Sequence, residues 1–277
     1  MLPGLKLHRL SADDPRKEFR NILLWLPINL IQAASFVAVC LILIPLALLV
    51  RRITGNSQIP LWMAHRWWGP IVVGGGLAKL KVSGKKYWNP KKTYLVIANH
   101  QSYFDIPVLY SALPAPLHFL GVDYLRKVPG VGHFGKAVGT IYLNLRSPAH
   151  SAAAIRELCA YLRGGRSTVV FPEGTRSWDG RIGRFSPSSL TAAIHAGVEI
   201  LPLAIVNSRK VMPRGGGLLF RPGTVEVRLA PPLSTQNLHP KDCDSLAEKI
   251  RERIELLHAS QAVEEIENWP VWETSSS

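Results

Sequence analysis

The stretch Tyr94-Leu-Val-Ile-Ala-Asn-His-Gln-Ser-Tyr-Phe-Asp105 decides the fold that we predict for this chain. Its first five residues are apolar and partly β-branched, which predicts a short buried strand, and the polar residues 99–102 end that strand before a helix. His100 therefore lies at the exit of a strand, where α/β folds place chemistry. If the Asp105 carboxylate folds back to the imidazole, it fixes the tautomer and makes the other ring nitrogen a base.

The spacing His-x-x-x-x-Asp is a weak indication by itself, because short spacings recur by chance. Four such pairs start at His8, His100, His118 and His239. Only His100 has a strand, a turn and a helix start around it. His118 and Asp123 fall in one predicted strand, which places them on opposite faces. The pair at His239 leads into a C-terminal helix that a nearby aspartate is expected to cap. A capped turn with a hydrogen-bonded histidine remains the alternative for His100.

Beyond Lys86, short apolar runs alternate with helical patterns, which predicts an α/β fold with a mixed sheet flanked by helices. The predicted strands cover residues 94–98, 117–122, 138–143, 168–171, 200–206 and 225–230. Ser147-Pro148 predicts the start of a helix that stops at Gly164-Gly165, and Ser186-Pro187 the start of one that stops at Gly197. A last amphipathic helix is predicted over residues 244–267.

Residues 22–50 contain no charged residue. A bilayer span needs about 20 residues, and the core of a signal peptide is shorter than this run. Pro27, Asn29, Gln32 and Pro45 interrupt the run, so a kinked or half-inserted helix competes with a simple span. A buried helix of a soluble core is a third interpretation.

Residues 61–68 mix three tryptophans with His65 and Arg66. Tryptophan beside cationic residues favours the lipid headgroup layer, which predicts a second, interfacial or re-entrant helix. The alternative is a tryptophan-rich core helix.

The 277 residues include 33 Lys+Arg and 19 Asp+Glu, which gives a net charge of +14. Such an excess suits nucleic acid, an anionic membrane surface or a phosphorylated substrate. The three cysteines are widely separated, so they imply neither a disulfide framework nor a zinc site and fit a reducing compartment.

The glycines of residues 130–135 match the dinucleotide-binding fingerprint. No convincing strand precedes them and no acidic residue ends a second strand, so we reject NAD binding. The chain also lacks a Walker loop and a Gly-x-Ser-x-Gly elbow, which disfavours NTPases and serine hydrolases.

A second motif, Phe171-Pro-Glu-Gly-Thr-Arg-Ser177, follows the predicted strand 168–171. It offers the Glu173 carboxylate, exposed backbone N–H groups beside Gly174 and the Arg176 guanidinium. This set suits a phosphorylated alcohol, because a guanidinium binds phosphate in a bidentate manner and a carboxylate accepts from hydroxyls. The alternative is a structural turn with a Glu173–Arg176 ion pair.

Residues 99–105 (the histidine motif) and 171–177 (the glutamate motif), in this order, resemble the glycerolipid acyltransferase family over residues 85–232. Residues 130–135 fall where the family has its second motif, and Leu201-Pro-Leu-Ala204 matches its fourth. The resemblance implies that His100 is the general base and Asp105 its orienting partner. It implies an acceptor site that consists of Glu173, Gly174, Thr175, Arg176 and Arg146. Arg146 stands one place later than the family's arginine, which in a strand turns it to the other face.

We therefore expect transfer of a fatty acyl group from acyl-CoA or acyl carrier protein to lysophosphatidic acid. The alternatives are transfer to another lysolipid, such as a lyso-ornithine lipid or a glycolipid, and a non-catalytic protein that binds lipid or nucleic acid at a membrane. The expected partners are the bilayer, the lysolipid and the acyl donor, with no nucleic acid, no metal and no bound cofactor.

The predicted domains are a membrane-anchoring segment (1–80), an α/β acyltransferase domain (81–240) and a C-terminal helix with a frayed tail (241–277). The expected location is a bacterial inner membrane, with the catalytic domain on the cytoplasmic side.

Overall fold

The first element of the computed structural model, which describes residues 15–144, 147–215 and 219–260, is the long helix α1 (Pro15–Thr54). Its part Leu26–Thr54 is 29 residues long and, by length and composition, sufficient to cross a membrane. Large apolar side chains remain exposed along it: Leu30, Ile31, Val37, Leu41, Ile42, Leu49 and Ile53.

Helix α1 is attached to the rest of the protein by its few polar side chains. Asn29 Oδ1 accepts from Phe220 N at 2.8 Å, and Gln32 Nε2 donates to Gly75 O at 3.0 Å. Near the other end, Arg51 Nη1 donates to Ala137 O at 3.1 Å. The two polar residues that interrupt the apolar run are thus buried hydrogen-bonding groups, and the helix lies against the body over much of its length.

Seven strands of the described chain form one mixed sheet. In chain order they are β1 (Ala78–Ser83), β2 (Tyr94–Ala98), β3 (His118–Val122), β4 (Ile141–Leu143), β5 (Thr168–Val170), β6 (Glu199–Val206) and β7 (Gly223–Leu229). Their order across the sheet is β1-β7-β6-β2-β5-β3-β4, and among neighbouring strands only β6 and β7 are antiparallel. The prediction of a mixed sheet is confirmed.

Five of the predicted strands are found with ends shifted by two residues at most. The prediction for residues 138–143 is wrong at its start, because Val138 ends a helix and Gly139 follows in the left-handed region at φ 73°. The edge strand β1 was not predicted. Its alternation of lysines with half-buried residues is short and follows a glycine-rich turn.

The helices surround the sheet. They are α2 (Gln58–Met63), α3 (Gly69–Gly75), α4 (Asp105–Ala112), α5 (Val131–Val138), α6 (Pro148–Arg163), α7 (Leu190–Ala196), α8 (Ser208–Val211) and α9 (Cys243–Ala259). Helix α6 begins and ends as predicted, with the Ser147 side chain accepting from His150 N. Helix α7 follows a 3-10 turn at Pro187–Ser189 and ends at Gly197. Helix α9 ends at Ala259, and residues 261–267 of the prediction lie outside the described residues.

The central strand β2 is buried on both faces, which explains its continuous apolar run. Tyr94, Val96 and Ala98 join one apolar core with side chains of the segment 61–73 and α4. Leu95 and Ile97 join a second core with side chains of α6, α7 and α9. The sheet is therefore the middle of three layers.

The tryptophan-rich segment matches both of its interpretations in part. Trp68 is 9% exposed and meets Tyr110 edge to face, with ring centroids 6.1 Å apart. Trp62 and Trp67, by contrast, are 47% and 42% exposed. A π-helical turn, Ala64–Trp68, lies between α2 and α3. One side of the segment thus belongs to the core and the other faces outward.

Candidate active site

The histidine motif places His100 and Asp105 in direct contact. His100 follows the carboxyl end of β2, and Asp105 is the first residue of α4. The distance from His100 Nδ1 to Asp105 Oδ2 is 2.7 Å, and the Asp105 side chain is fully buried. The same oxygen accepts from Gln101 N at 2.8 Å and from Ser102 N at 3.0 Å. The turn therefore fixes the carboxylate before it meets the imidazole.

The His100 ring is stacked on an aromatic side chain and remains partly exposed. The ring stacks on Phe171, with centroids 4.1 Å apart and planes at 16°. Its side chain is 14% exposed. Among the described residues no protein group bonds to Nε2. When Nδ1–H donates to Asp105, Nε2 carries the lone pair that a general base needs.

The glutamate motif holds the histidine motif through the backbone. Strand β5 pairs with β2 in parallel, so both motifs leave the same edge of the sheet. Glu173 Oε1 accepts from His100 N at 2.7 Å, and its Oε2 accepts from Gly183 N at 2.9 Å. Ser177 N donates to His100 O at 2.8 Å. Both backbone polar groups of His100 are thus fixed by the second motif.

Burial and hydrogen bonding shift the pKa of the Glu173 carboxyl in opposite directions. Burial raises the pKa of the carboxyl, and the N–H groups of Gly183 and His100 oppose this shift. The predicted alternative of a Glu173–Arg176 ion pair is wrong, because the carboxylate meets backbone amides and the guanidinium takes another direction.

Arg176 stacks on an aromatic ring of the histidine motif. Its Cζ lies 3.5 Å from the centroid of Tyr103, and the residue is half-buried. Gly174 is exposed and left-handed, with φ 68°, and Thr175 is exposed beside it. The two motifs therefore form one site that contains an imidazole and a guanidinium. Arg146, the remaining predicted ligand, lies outside the described residues.

Several residues that position this site were missed by the sequence analysis. Asn99 exchanges two hydrogen bonds with the backbone of Ile205, at 2.7 and 3.0 Å, which ties the end of β2 to β6. Ser102 Oγ donates to Met212 O at 2.7 Å. These contacts join residues more than 100 positions apart, and the sequence gives no indication of them beyond polar residues at the end of an apolar strand.

Of the competing histidine–aspartate pairs, the two that lie among the described residues do not form. His118 lies between Gln58 Nε2 at 3.1 Å and Gly139 O at 3.2 Å. Asp123 contacts Arg126 instead, at 3.4 Å. At the C-terminal pair, His239 N donates to the Asp242 carboxylate in a capping box that begins the 3-10 turn Pro240–Asp242. Asp242 occupies the N-cap position of α9, but its side chain makes no capping bond to that helix, so the predicted aspartate cap is not formed. The pair at His8 lies outside the described residues.

The comparisons with known proteins agree with this geometry. The sequence model of the family described as Acyltransferase matches residues 79–206. A lyso-ornithine lipid O-acyltransferase from Pseudomonas aeruginosa is 30% identical over 221 residues, which cover 74% of this chain and 82% of that protein. The chain belongs to the glycerolipid acyltransferase family.

Other members of this acyltransferase family are longer or structurally known. A chloroplastic 1-acyl-sn-glycerol-3-phosphate acyltransferase from Arabidopsis thaliana is 30% identical over 158 residues, 57% of this chain. The chain spans 43% of that relative and 46% of a similar one from Brassica napus. The crystal structure of the 1-acyl-sn-glycerophosphate acyltransferase PlsC from Thermotoga maritima aligns with TM-score 0.68 and 25% identity, covering 84% of this chain and 98% of that one.

The structure of residues 130–135 differs from that of a dinucleotide-binding site. Gly130 precedes α5, and the residues before it form a 3-10 turn, Asp123–Lys127, in place of a strand. A dinucleotide fingerprint requires a strand at that position.

Proposed function

We propose that this acyltransferase moves a fatty acyl group from acyl-CoA or acyl carrier protein to the free hydroxyl of lysophosphatidic acid, which gives phosphatidic acid. The observation that carries the proposal is the 2.7 Å contact between His100 Nδ1 and the buried Asp105 carboxylate. It supports a role of His100 as base, since the opposite ring nitrogen has no other bond among the described residues. The donor arrives as co-substrate, and the proposal requires no metal and no bound cofactor.

The proposed reaction has no covalent enzyme intermediate. His100 Nε2 removes the proton of the acceptor hydroxyl while the hydroxyl oxygen attacks the thioester carbonyl carbon. A C–O bond forms, and collapse of the tetrahedral intermediate breaks the C–S bond. The thiolate leaves with that electron pair and receives the proton from the imidazolium. The products are the new ester, a free thiol and neutral His100.

We assign the acceptor phosphate to the side of the site where Arg176 stacks on Tyr103. Guanidinium groups bind phosphate through two parallel N–H bonds. Gly174 and Thr175 are exposed beside Arg176 and leave room for the phosphate, although Gly174 N itself donates to Phe171 O at 3.1 Å. Glu173 already accepts one backbone N–H at each oxygen. We therefore propose that Glu173 positions His100, in place of the predicted contact with a substrate hydroxyl.

We propose that α1 holds the protein in the membrane with its exposed apolar face in lipid. Trp62 and Trp67, which are exposed beside Arg66, suit the headgroup layer. The net charge of +14 suits an anionic membrane surface. This supports a bacterial inner membrane with the site on the cytoplasmic side, where acyl-CoA and acyl carrier protein occur.

A second candidate is transfer of the same acyl group to a lysolipid without a phosphomonoester. The relative from Pseudomonas aeruginosa is named a lyso-ornithine lipid O-acyltransferase and matches most of its own length. A glycolipid acceptor belongs to the same candidate.

The test is acyl transfer by the detergent-solubilised protein to a panel of labelled lysolipids, with acyl-CoA and acyl carrier protein as donors. We expect transfer to lysophosphatidic acid, and His100→Ala should lower turnover by about 10² to 10⁴. The matched control is His195→Ala, because His195 is exposed on α7, which leads into the opposite edge of the sheet. Transfer only to lyso-ornithine lipid or glycolipid would favour the second candidate. No transfer to any acceptor, or full turnover of His100→Ala, would contradict the mechanism.

A further inference from the structure

A second arginine, outside all the sequence motifs, lies at the same site. Arg214 Nη1 donates to the backbone carbonyl oxygen of Arg176. Its Cζ lies 3.6 Å from the ring centroid of Trp178, two residues beyond Arg176. The guanidinium groups of Arg176 and Arg214 are therefore each stacked on an aromatic ring, and one is bonded to the backbone of the other's residue.

The loop that carries Arg214 is fixed to the histidine motif. Ser102 Oγ donates to Met212 O at 2.7 Å, two residues before Arg214. Arg221 N donates to Val211 O at 2.8 Å, which closes the base of the loop. The position of Arg214 is thus set by the same turn that sets His100.

No ion pair involves Arg176 or Arg214 among the described residues. The nearby Asp179 pairs with Arg181 at 3.7 Å and accepts from Arg181 N. Tyr124 lies near Tyr103 and near both guanidinium groups.

Both aromatic rings that carry these arginines are exposed. Trp178 is 70% exposed and Tyr103 is 47% exposed, so neither ring contributes much to the core. A ring face attracts the guanidinium, and a stacked guanidinium keeps its N–H edge available for an anion. Two such edges with nearby phenol hydroxyls match a dianionic phosphate.

We infer that Arg214, on Trp178, completes with Arg176, on Tyr103, a binding site for a phosphomonoester. The inference rests on the proposed acyl transfer. It adds Arg214, a phosphate-binding residue that lies outside all the sequence motifs. The phosphomonoester has two sources in that reaction: the phosphate of lysophosphatidic acid and the 3′-phosphate of CoA.

The kinetic test compares Arg214→Gln, Arg214→Lys and the wild type. Acceptor titrations with lysophosphatidic acid are run at saturating donor, and donor titrations with acyl-CoA and acyl-dephospho-CoA at saturating acceptor. Arg214→Gln loses a charge-assisted hydrogen bond, so we expect it to raise one of the two KM values about tenfold or more. Arg214→Lys keeps the charge but loses the fork geometry, so its KM should lie between those of Arg214→Gln and the wild type. The matched control is Arg166→Gln, because Arg166 also stacks on a tyrosine, Tyr161, but lies before β5 at the opposite edge of the sheet.

The two titrations separate the sources. A higher KM for lysophosphatidic acid alone identifies the acceptor phosphate. A higher KM for acyl-CoA, with acyl-dephospho-CoA used equally by the variant and the wild type, identifies the 3′-phosphate. Both results support the phosphate site. A lower thermal midpoint or kcat with both KM values unchanged would show a purely structural contact and would overturn the inference.

An equilibrium test decides the inference even if turnover is lost. Intrinsic fluorescence of the solubilised protein is titrated with inorganic phosphate, and the contribution of Trp178 is obtained by comparison with Trp178→Phe. We expect a saturable change that depends on Trp178 and is lost in Arg214→Gln. If Arg214→Gln does not fold, Arg214→Lys, which keeps the Trp178 reporter, should weaken phosphate binding several-fold in the same titration. An equal response of all variants would overturn the site, whereas phosphate binding by a wild type that does not acylate lysophosphatidic acid would contradict only the proposed function.

Discussion

The Glu173 carboxylate joins the two motifs with two hydrogen bonds to backbone N–H groups. We predict that Glu173→Gln lowers both stability and turnover, because an amide NH₂ placed against an N–H leaves a buried donor unpaired, at about 1 to 3 kcal/mol. The measurements are the thermal midpoint and kcat/KM, with Glu157→Gln on the exposed side of α6 as control. A variant of normal stability and kcat that only binds the acceptor less tightly would restore the direct role in substrate binding.

His118 gives a pH dependence that is independent of catalysis. Burial lowers its pKa from 6.5 to about 4. Between these values the unfolded chain binds a proton that the folded protein does not, so acidification from pH 6.5 to 4 favours unfolding. The contribution is on the order of 3 kcal/mol. We predict that His118→Gln reduces this acid-induced loss of stability, measured by chemical denaturation at several pH values, whereas His133→Gln at an exposed position does not. An unchanged slope would show that His118 is protonated in the fold.

The sequence predicts the contact between His100 and Asp105 better than the contacts that support it. His100 and Asp105 lie within one turn, so strand, turn and helix signals are sufficient to pair them. The partner of Glu173 was predicted wrongly in the alternative interpretation, because Arg176 is close in sequence whereas His100 N is close only after β2 and β5 pair. Arg214 lies outside every motif, and only the folded loop brings it to Arg176.

Strand β1 shows why edge strands are hard to predict. Its residues are half-buried or exposed, so the alternation is weak and contains two lysines. The central strand β2 is fully buried and was predicted at its observed bounds. A strand that packs on both faces has a continuous apolar sequence, whereas an edge strand such as β1 does not.

The turn after β1 offers a test of this edge. Gly84 has φ 72°, and a Cβ there would lie 2.2 Å from Leu229 O, at the end of β7. We predict that Gly84→Ala destabilises the protein by several kcal/mol, because the left-handed conformation and the contact with backbone both oppose a side chain. Gly197→Ala is the matched control, since Gly197 has φ 67° but open space around it. Equal thermal midpoints for the two variants would show that the close approach to β7 carries no penalty.

The proposed attachment to the membrane uses the exposed apolar face of α1. We predict that the protein remains with membranes in high salt and in carbonate, because apolar insertion does not depend on ionic strength. Charged residues in the bilayer centre cost about 2.5 to 3.5 kcal/mol, so Leu41→Asp with Ile42→Asp should increase release. The control is Leu256→Asp, since Leu256 is 60% exposed on α9 and Leu41 is 70% exposed on α1. Release of the wild type by salt alone would show that the basic charge holds it.

The class of fold follows from the alternation of strands and helices, but the strand order does not. Five predicted strands were found, and none of the sequence signals states which strands are neighbours. The parallel pairs β2/β5 and β2/β6 join distant parts of the chain, and their order is decided by packing in two cores. The polar residues Asn29 and Gln32 likewise appeared as interruptions of a span, whereas they attach α1 to the body.

The central position of β2 has a consequence for synthesis of the protein. Its two neighbours, β5 and β6, are translated long after it, so a growing chain carries an apolar strand with both edges open. Strands with open edges aggregate readily, so we expect the nascent chain to be prone to aggregation until β5 and β6 have been made. The His100 backbone is fixed only after Glu173 and Ser177 have emerged. Truncated translation products that end before Glu173 therefore contain His100 but lack the contacts that hold its backbone in place.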